Sequence, residues 1–151
     1  MDLLYFFESI RTPFLNTVMQ LITELGGETV FLAAAIIVFW CVDKKEGYYM
    51  MTVGFAGIIV NQFLKLWFRI PRPWVKDPSF TIVESARAAA TGYSFPSGHT
   101  QNVFAALGAP ARYTKRRWLR ALLILGICLT AISRMYLGVH TPLDVGVSFV
   151  L

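Results

Sequence analysis

The sequence predicts an all-α integral membrane protein built as an antiparallel helix bundle. Of its 151 residues, 56% are hydrophobic and only 15% are charged, and the mean hydropathy of +0.55 lies on the apolar side of soluble proteins. The charges gather in short clusters between long apolar stretches such as 29–42 and 118–132. Because lipid can face such stretches, we expect about five transmembrane helices, the last incomplete, and interfacial helices at the amino terminus.

The amino-terminal segment differs from the rest of the chain. Its apolar pieces, 3–7 and 14–25, are interrupted by charged residues and a proline, which is typical of interfacial or partly inserted helices. It lacks the basic start and the cleavage site of a signal peptide. We therefore divide the chain into residues 1–27, as interfacial or partly inserted helices, and residues 28–151, as a transmembrane core truncated in its last helix.

Five transmembrane helices are predicted in the core. A short polar turn separates the first two, and a long polar loop with three prolines follows the second. The fifth helix starts at Pro142, with Thr141 as its N-cap. It is too short to span a bilayer, so we expect the natural chain to continue. The predicted bounds are 28–42, 47–68, 97–113, 118–138 and 142–151.

The distribution of charge sets the orientation of the bundle. The short connections at 43–46 and 112–120 fall on the same side if every helix crosses once, and the second is densely basic. The positive-inside rule makes that side cytoplasmic. The 69–96 loop, the start of the third helix and the junction of the fourth and fifth helices then lie together at the opposite face.

Cationic, imidazole and carboxylate side chains are predicted to lie together at that opposite face. Cations and the N–H groups of a helix start neutralise phosphoryl oxygens. One imidazole can attack phosphorus while a second protonates the leaving oxygen, and a carboxylate can fix the tautomer of the attacking ring. This combination is what phosphoryl transfer without a metal requires. The candidate residues are Lys65, Arg72, Ser97, Gly98, His99, Arg134, His140 and Asp144.

Each of these residues also has a purely structural interpretation. Lys65 at a helix end is typical of an interfacial lysine whose charge reaches water. Ser97 is typical of an N-cap, and Arg134 suits the carboxyl end of a helix. Asp144, three residues after Thr141, fits a variant of the capping box. Such interpretations explain one residue at a time, whereas a shared chemical role explains why all of them meet at one face.

Three segments of the chain resemble the signature motifs of the type 2 phosphatidic acid phosphatase and vanadium haloperoxidase superfamily. They are KLWFRIPRP at 65–73, PSGH at 96–99 and SRMYLGVHTPLD at 133–144. The resemblance implies that His140 is a nucleophile that forms a phosphohistidine, that Asp144 orients it, and that His99 is the general acid. It implies phosphate binding by Lys65, Arg72, Ser97, Gly98 and Arg134.

The resemblance implies a hydrolase of lipid phosphomonoesters or diphosphates that needs no metal or cofactor. Its substrates would be of the phosphatidic acid, phosphatidylglycerophosphate or polyprenyl diphosphate type, and it would act at the extracytoplasmic face of a bacterial plasma membrane. The 74–95 loop is expected to contribute to lipid specificity.

Two other functions stay open at this point. One is a vanadate-dependent haloperoxidase, and the other is a noncatalytic protein that binds or transports anionic lipids. Nucleic acid is not an expected partner, because basic residues between membrane helices have a topological explanation.

Overall fold

Every regular element of the chain is helical, as predicted. The computed structural model describes residues 1–151. A π-helical turn at Val38–Val42 continues the third helix, and single 3-10 turns lie at Glu24–Gly26 and Glu84–Ala86. The α-helices are α1 (Asp2–Ser9), α2 (Pro13–Thr23), α3 (Glu28–Ile37), α4 (Lys44–Phe68), α5 (Pro73–Lys76), α6 (Gly98–Tyr113), α7 (Arg117–Tyr136) and α8 (Pro142–Ser148).

Two helical segments, Lys44–Lys76 and Arg117–Tyr136, are long and apolar enough to cross a bilayer. The pair Pro13–Gly26 and Glu28–Val42, bent by 51°, would add a third if it forms one broken span. The helix α6 has 16 residues and α8 has 7, fewer than the roughly 20 that span a bilayer. The integral membrane helix bundle is therefore supported, and the count of five spans stays a prediction.

Large apolar side chains cover the outside of the bundle. Trp40 and Trp67 are each 71% exposed and Ile59 is 70% exposed. An apolar surface of this extent is unfavourable in water and is favourable against lipid. The outward-facing residues thus agree with membrane insertion of α3 and α4.

Side-chain caps account for where several helices begin. Asp43 accepts hydrogen bonds from the N–H groups of Lys45 and Glu46 at 2.8 and 3.0 Å, which starts α4. The N-cap of α8 is Thr141, and its side chain and that of Asp144 form the predicted capping box. Such bonds satisfy N–H groups that have no partner within the helix.

Small residues allow α4 to approach its neighbours closely. Phe31 of α3 is fully buried together with Ala35, Met50 and Ala106. A Cβ atom at Gly54 would overlap the Phe31 ring. The close contact of α3 with α4 therefore depends on glycine at this position.

Residues of the amino-terminal segment fasten the end of α7. The Arg11 guanidinium donates to the Tyr136 carbonyl at 3.0 and 3.2 Å and to the Thr81 carbonyl at 2.8 Å. The Tyr136 hydroxyl donates to the Asn16 side chain at 2.8 Å. The first two helices thus brace the segment that leads from α7 into α8.

We expect the substitution Gly54→Ala to destabilise the protein by about 1–3 kcal/mol, because the added methyl group displaces a fully buried phenylalanine ring. Thermal unfolding of the purified protein in detergent would measure this loss. Gly108→Ala is the matched control, since a Cβ there meets Phe104 at an ordinary 3.6 Å. Equal melting temperatures for the two variants would contradict the packing argument.

Candidate active site

A polar cavity of about 510 Å³ lies at the end of the bundle where α4 and α7 end and α6 begins. Six of the eight candidate residues line it: Lys65, Arg72, Gly98, His99, Arg134 and His140. Ser97 and Asp144 do not line it but are buried beside these residues. The three sequence motifs therefore converge on one cavity, with two of their members behind its wall.

Local backbone geometry brings the motifs together. Lys65 lies in the last turn of α4, and His99 lies in the first turn of α6. Gly138 between α7 and α8 has φ +81°, and a Cβ there would lie 2.8 Å from Nη2 of Arg11. Glycine adopts this left-handed conformation without strain. It lets the chain turn back within a few residues, so that Arg134 and His140 face the same cavity.

The guanidinium of Arg72 is held mainly by backbone carbonyls. Its Nη2 donates to the Thr91 carbonyl at 2.7 Å, and its Nε donates to the Gly92 carbonyl at 3.1 Å. Its Nη1 donates to the Val139 carbonyl at 3.0 Å and lies 3.1 Å from Nε2 of His140. These bonds fix the orientation of a cation beside the imidazole.

The other two cations are also held by neutral oxygens. The Lys65 ammonium donates to the Tyr93 carbonyl at 2.9 Å. Arg134 is 1% exposed, and its Nη1 donates to the Thr23 hydroxyl at 2.9 Å, while its Nε has no partner. These neutral oxygens accept hydrogen bonds from the N–H groups, but they do not neutralise the positive charges.

None of these three cations forms an ion pair. The salt bridges of the protein join Glu84 to Arg87, Glu46 to Arg112, and Asp144 to His140. Three positive charges around one cavity repel each other and attract an anion that can accept several hydrogen bonds. A tetrahedral phosphoryl group has this character.

His140 is 2% exposed and lies in the turn between α7 and α8. Burial lowers the pKa of its imidazole well below the ordinary value; Asp144 opposes the shift, while the charges of Arg134, Arg72 and Lys65 add to it. A neutral ring with Nε2 as acceptor agrees with the nearby Arg72 N–H group. Its Nε2 therefore carries the lone pair that nucleophilic attack requires.

Direct pairing of His140 with Asp144, which lie about one helical turn apart in the sequence, would require α8 to extend back to the histidine. The helix instead begins at Pro142, and Nδ1 of His140 lies 3.6 Å from Oδ2 of Asp144, too far for a hydrogen bond. The reason is that this oxygen already accepts from the Thr141 N–H at 2.7 Å and from the Ser94 hydroxyl at 2.5 Å. Capping of α8 and contact with the imidazole share one carboxylate oxygen.

Ser97 joins two motifs through its backbone. Its N–H donates to the Asp144 carbonyl at 3.1 Å, and its side chain accepts from the Thr100 N–H at 3.4 Å as the N-cap of α6. The side chain is fully buried. In this structure Ser97 connects the start of α6 to α8, with its hydroxyl directed to the first turn of its own helix.

The first turn of α6 is positioned by the segment before α3. A Cβ atom at Gly26 would lie 2.5 Å from the His99 carbonyl oxygen, so the two backbones come close only because residue 26 is glycine. This contact, with that of Thr23 to Arg134, brings the amino-terminal segment into the wall of the site.

Several residues at the site were not among the candidates predicted from the sequence. The Ser94 hydroxyl donates to Asp144, and the Thr23 hydroxyl accepts from Arg134. Glu28, Gln62 and Asn102 line the cavity. No motif marks them, because their contacts join segments far apart in the chain. Only the position of Ser94 three residues before Ser97 was a signal available in the sequence.

Comparison with known proteins finds a family match and several relatives. The model of the PAP2 superfamily matches residues 45–151. The chain is 32% identical to undecaprenyl-diphosphatase BcrC of Bacillus subtilis over 136 residues, covering 87% of this chain and 66% of that protein. It is also 32% identical to phosphatidylglycerophosphatase B of the same organism, covering 90% and 69% of the two chains. The chain thus spans about two thirds of the length of these relatives.

The fold is shared with a solved structure over almost its whole length. The crystal structure of LpxE of Aquifex aeolicus superposes with a TM-score of 0.85 and 25% sequence identity, covering 99% of this chain and 87% of that chain. The family match covers more than half of the chain and includes all three motifs. Sequence, site geometry and fold together show that the chain belongs to the PAP2 superfamily.

Proposed function

We propose that the protein is a membrane lipid phosphate phosphatase that acts through a phosphohistidine on His140 and needs no metal ion. The observation that carries this proposal is the set of three cations, held by neutral oxygens around a buried, unprotonated imidazole. The bacterial relatives, an undecaprenyl-diphosphatase and a phosphatidylglycerophosphatase, support a lipid phosphate as the substrate.

The proposed reaction has two steps. In the first, Nε2 of His140 attacks phosphorus, a P–N bond forms, and the P–O bond to the lipid breaks while His99 gives a proton to the leaving oxygen. In the second, His99 takes a proton from water as the water oxygen attacks phosphorus and the P–N bond breaks. Inorganic phosphate and the lipid alcohol are the products of a monoester.

The cations act where negative charge gathers in both steps. Lys65, Arg72 and Arg134 line the cavity around His140, so their N–H groups can bind the equatorial oxygens of the pentacoordinate phosphorus. The first-turn N–H group of Gly98 has no partner within α6 and adds a further donor. Arg72 must turn its Nη1 from Nε2 of His140 to a phosphate oxygen when the substrate binds.

Asp144 and Ser94 position the nucleophile. When the imidazole takes up positive charge in the first step, Nδ1 of His140 can move the few tenths of an ångström that separate its 3.6 Å approach from a hydrogen bond. Ser94 and the Thr141 N–H hold the carboxylate in place for this contact.

The active site is proposed to face the outside of a bacterial plasma membrane. His99 begins α6 and Arg112 lies in its last turn, which separates them by about 20 Å along the helix. The basic connection 112–120 thus lies at the end of the bundle away from the cavity, where the positive-inside rule predicts the cytoplasm.

We expect His140→Ala to lower the rate of phosphate release from lipid phosphates by about four orders of magnitude, because the P–N bond cannot form. Phosphate release from detergent micelles, with and without EDTA, would measure it. The wild-type rate should be the same in both conditions. A rate that persists in the variant would contradict the mechanism, and a wild-type protein that binds lipid phosphates without releasing phosphate would favour the lipid-binding alternative.

Vanadate should inhibit the wild-type protein competitively, since its trigonal-bipyramidal adduct with His140 resembles the transition state. At about millimolar vanadate, we expect a higher apparent KM with an unchanged kcat. Halide oxidation by the vanadate-loaded protein would instead favour the haloperoxidase alternative, and a rate insensitive to vanadate would contradict the proposed geometry.

Ser94→Ala should lower kcat by about tenfold to a hundredfold while leaving KM near the wild-type value, because Asp144 loses the donor that fixes it. Ser148→Ala is the matched control: it removes another buried hydroxyl, which donates to the Asp144 backbone carbonyl at 2.8 Å. Steady-state kinetics should show the loss only for Ser94. Equal kcat values for the two variants would mean that Ser94 does not position the carboxylate.

A further inference from the structure

The cavity has a side that carries neither cation nor imidazole. Glu28, Gln62 and Asn102 line both the main cavity and a small recess of about 20 Å³ beside it. The recess is lined further by Asn61 and Gln101 and by none of the cations. Its polar side chains are one carboxylate and four carboxamides, beside Ile58 and Gly98, so the recess differs chemically from the side that carries the cations.

Two side chains in the recess have unpartnered polar atoms. Asn61 is 3% exposed and Gln101 is 6% exposed, and neither Nδ2 of Asn61 nor Oε1 of Gln101 has a hydrogen-bond partner. Leaving such buried groups without partners is unfavourable, and a ligand that supplies the partners is correspondingly stabilised. A volume near 20 Å³ suits one small polar group, since a water needs about 10–15 Å³ by this measure.

Helix geometry relates the recess to the leaving group. Gln62 lies three residues before Lys65 on α4, and Asn102 lies three residues after His99 on α6, so each is about one turn farther into the bundle. His99 is the proposed proton donor to the leaving oxygen. A leaving group whose oxygen lies next to His99 can therefore reach Asn102, Gln62 and Glu28, which line the same cavity.

We propose that this recess, defined by Glu28, Asn61, Gln62, Gln101 and Asn102, is a leaving-group subsite that selects phosphomonoesters over diphosphates. It takes a hydrogen-bond donor, a hydroxyl or an ammonium group, on the carbon next to the phosphate-bearing carbon of the lipid. The leaving group of a diphosphate is itself a phosphate, and the carboxylate of Glu28 repels it. This assignment rests on the proposed phosphatase function.

The chemistry of the acceptors supports a donor rather than an anion. Glu28 offers only acceptor oxygens, and the unpartnered Oε1 of Gln101 is a further acceptor. A hydroxyl or an ammonium satisfies them, and its own lone pair or solvent satisfies the amide donors. None of the three cations lines the recess, and in the proposed reaction they bind the transferring phosphoryl group.

Glu28→Gln tests the proposal, because it removes the charge and keeps the shape. Five substrates in detergent micelles form three comparisons. Octadecyl phosphate is compared with its analogue that carries an adjacent hydroxyl group and with its analogue that carries an adjacent amino group, and farnesyl monophosphate is compared with farnesyl diphosphate. The measured quantity is the ratio of kcat/KM within each comparison. Glu84→Gln is the matched control, since Glu84 is an exposed carboxylate, paired with Arg87, outside the cavity.

For the wild-type protein we expect each ratio to favour the donor-bearing lipid and the monophosphate by about tenfold. Glu28→Gln should bring all three ratios close to one, and Glu84→Gln should keep the wild-type ratios. If Glu28→Gln loses the preference for the amino analogue alone, the group that binds in the subsite is an ammonium. If it loses the preference for both analogues, a hydroxyl is also sufficient for binding there.

Wild-type ratios that survive in Glu28→Gln, or a wild-type preference for the diphosphate, would overturn the assignment of the subsite. Both results leave the phosphatase function intact, because phosphate is still released. If neither the wild type nor His140→Ala releases phosphate from any of these lipids, the proposed function itself is wrong and the subsite assignment fails with it.

Discussion

The site depends on three buried or half-buried cations that are held in place without carboxylates. Backbone carbonyls and one hydroxyl orient Lys65, Arg72 and Arg134, and no ion pair neutralises them. Removing positive charge from water is costly unless an opposite charge replaces the solvent. The empty site lacks that opposite charge. A bound phosphoryl group supplies it, and the attraction stabilises the bound group and, most of all, the transition state of its transfer.

The same charges act on the imidazole between them. Burial and the nearby cations keep His140 unprotonated, and Arg72 directs an N–H group at its Nε2. Asp144 lies close enough to stabilise the ring once it becomes positive. The three cations alone would only bind an anionic phosphate group. A neutral imidazole among them can also attack the bound phosphorus and accept the phosphoryl group.

The acceptors that hold the cations come from segments far apart in the chain. Carbonyls of residues 91–93 bind Arg72 and Lys65, and Thr23 binds Arg134. The matched family region begins at residue 45, yet the earlier helices supply Thr23, the close approach at Gly26 and the Glu28 carboxylate. The amino-terminal helices are therefore part of the wall of the site as well as its support.

Local patterns in the sequence predicted the helices and most of the cavity. Capping residues gave the starts of α6 and α8, and the three motifs gave the six candidate residues that line the cavity. The contacts of Ser94 and Thr23 were not predictable, because they depend on how the 69–96 loop and the amino-terminal segment fold onto the bundle. The separation of His140 from Asp144 also depends on competition for one oxygen, which a helical spacing does not reveal.

The central claim is that the phosphoryl group is transferred to His140 before it is released as inorganic phosphate. Trapping the phosphorylated protein tests this claim most directly. A lipid phosphate with a radiolabelled phosphoryl group would be mixed with the protein and quenched rapidly in base, since a P–N bond is stable in base and labile in acid. We predict label on the peptide that contains His140, lost on acid treatment and absent from His140→Ala. Full turnover with no label on the protein, or label on another residue, would contradict the account.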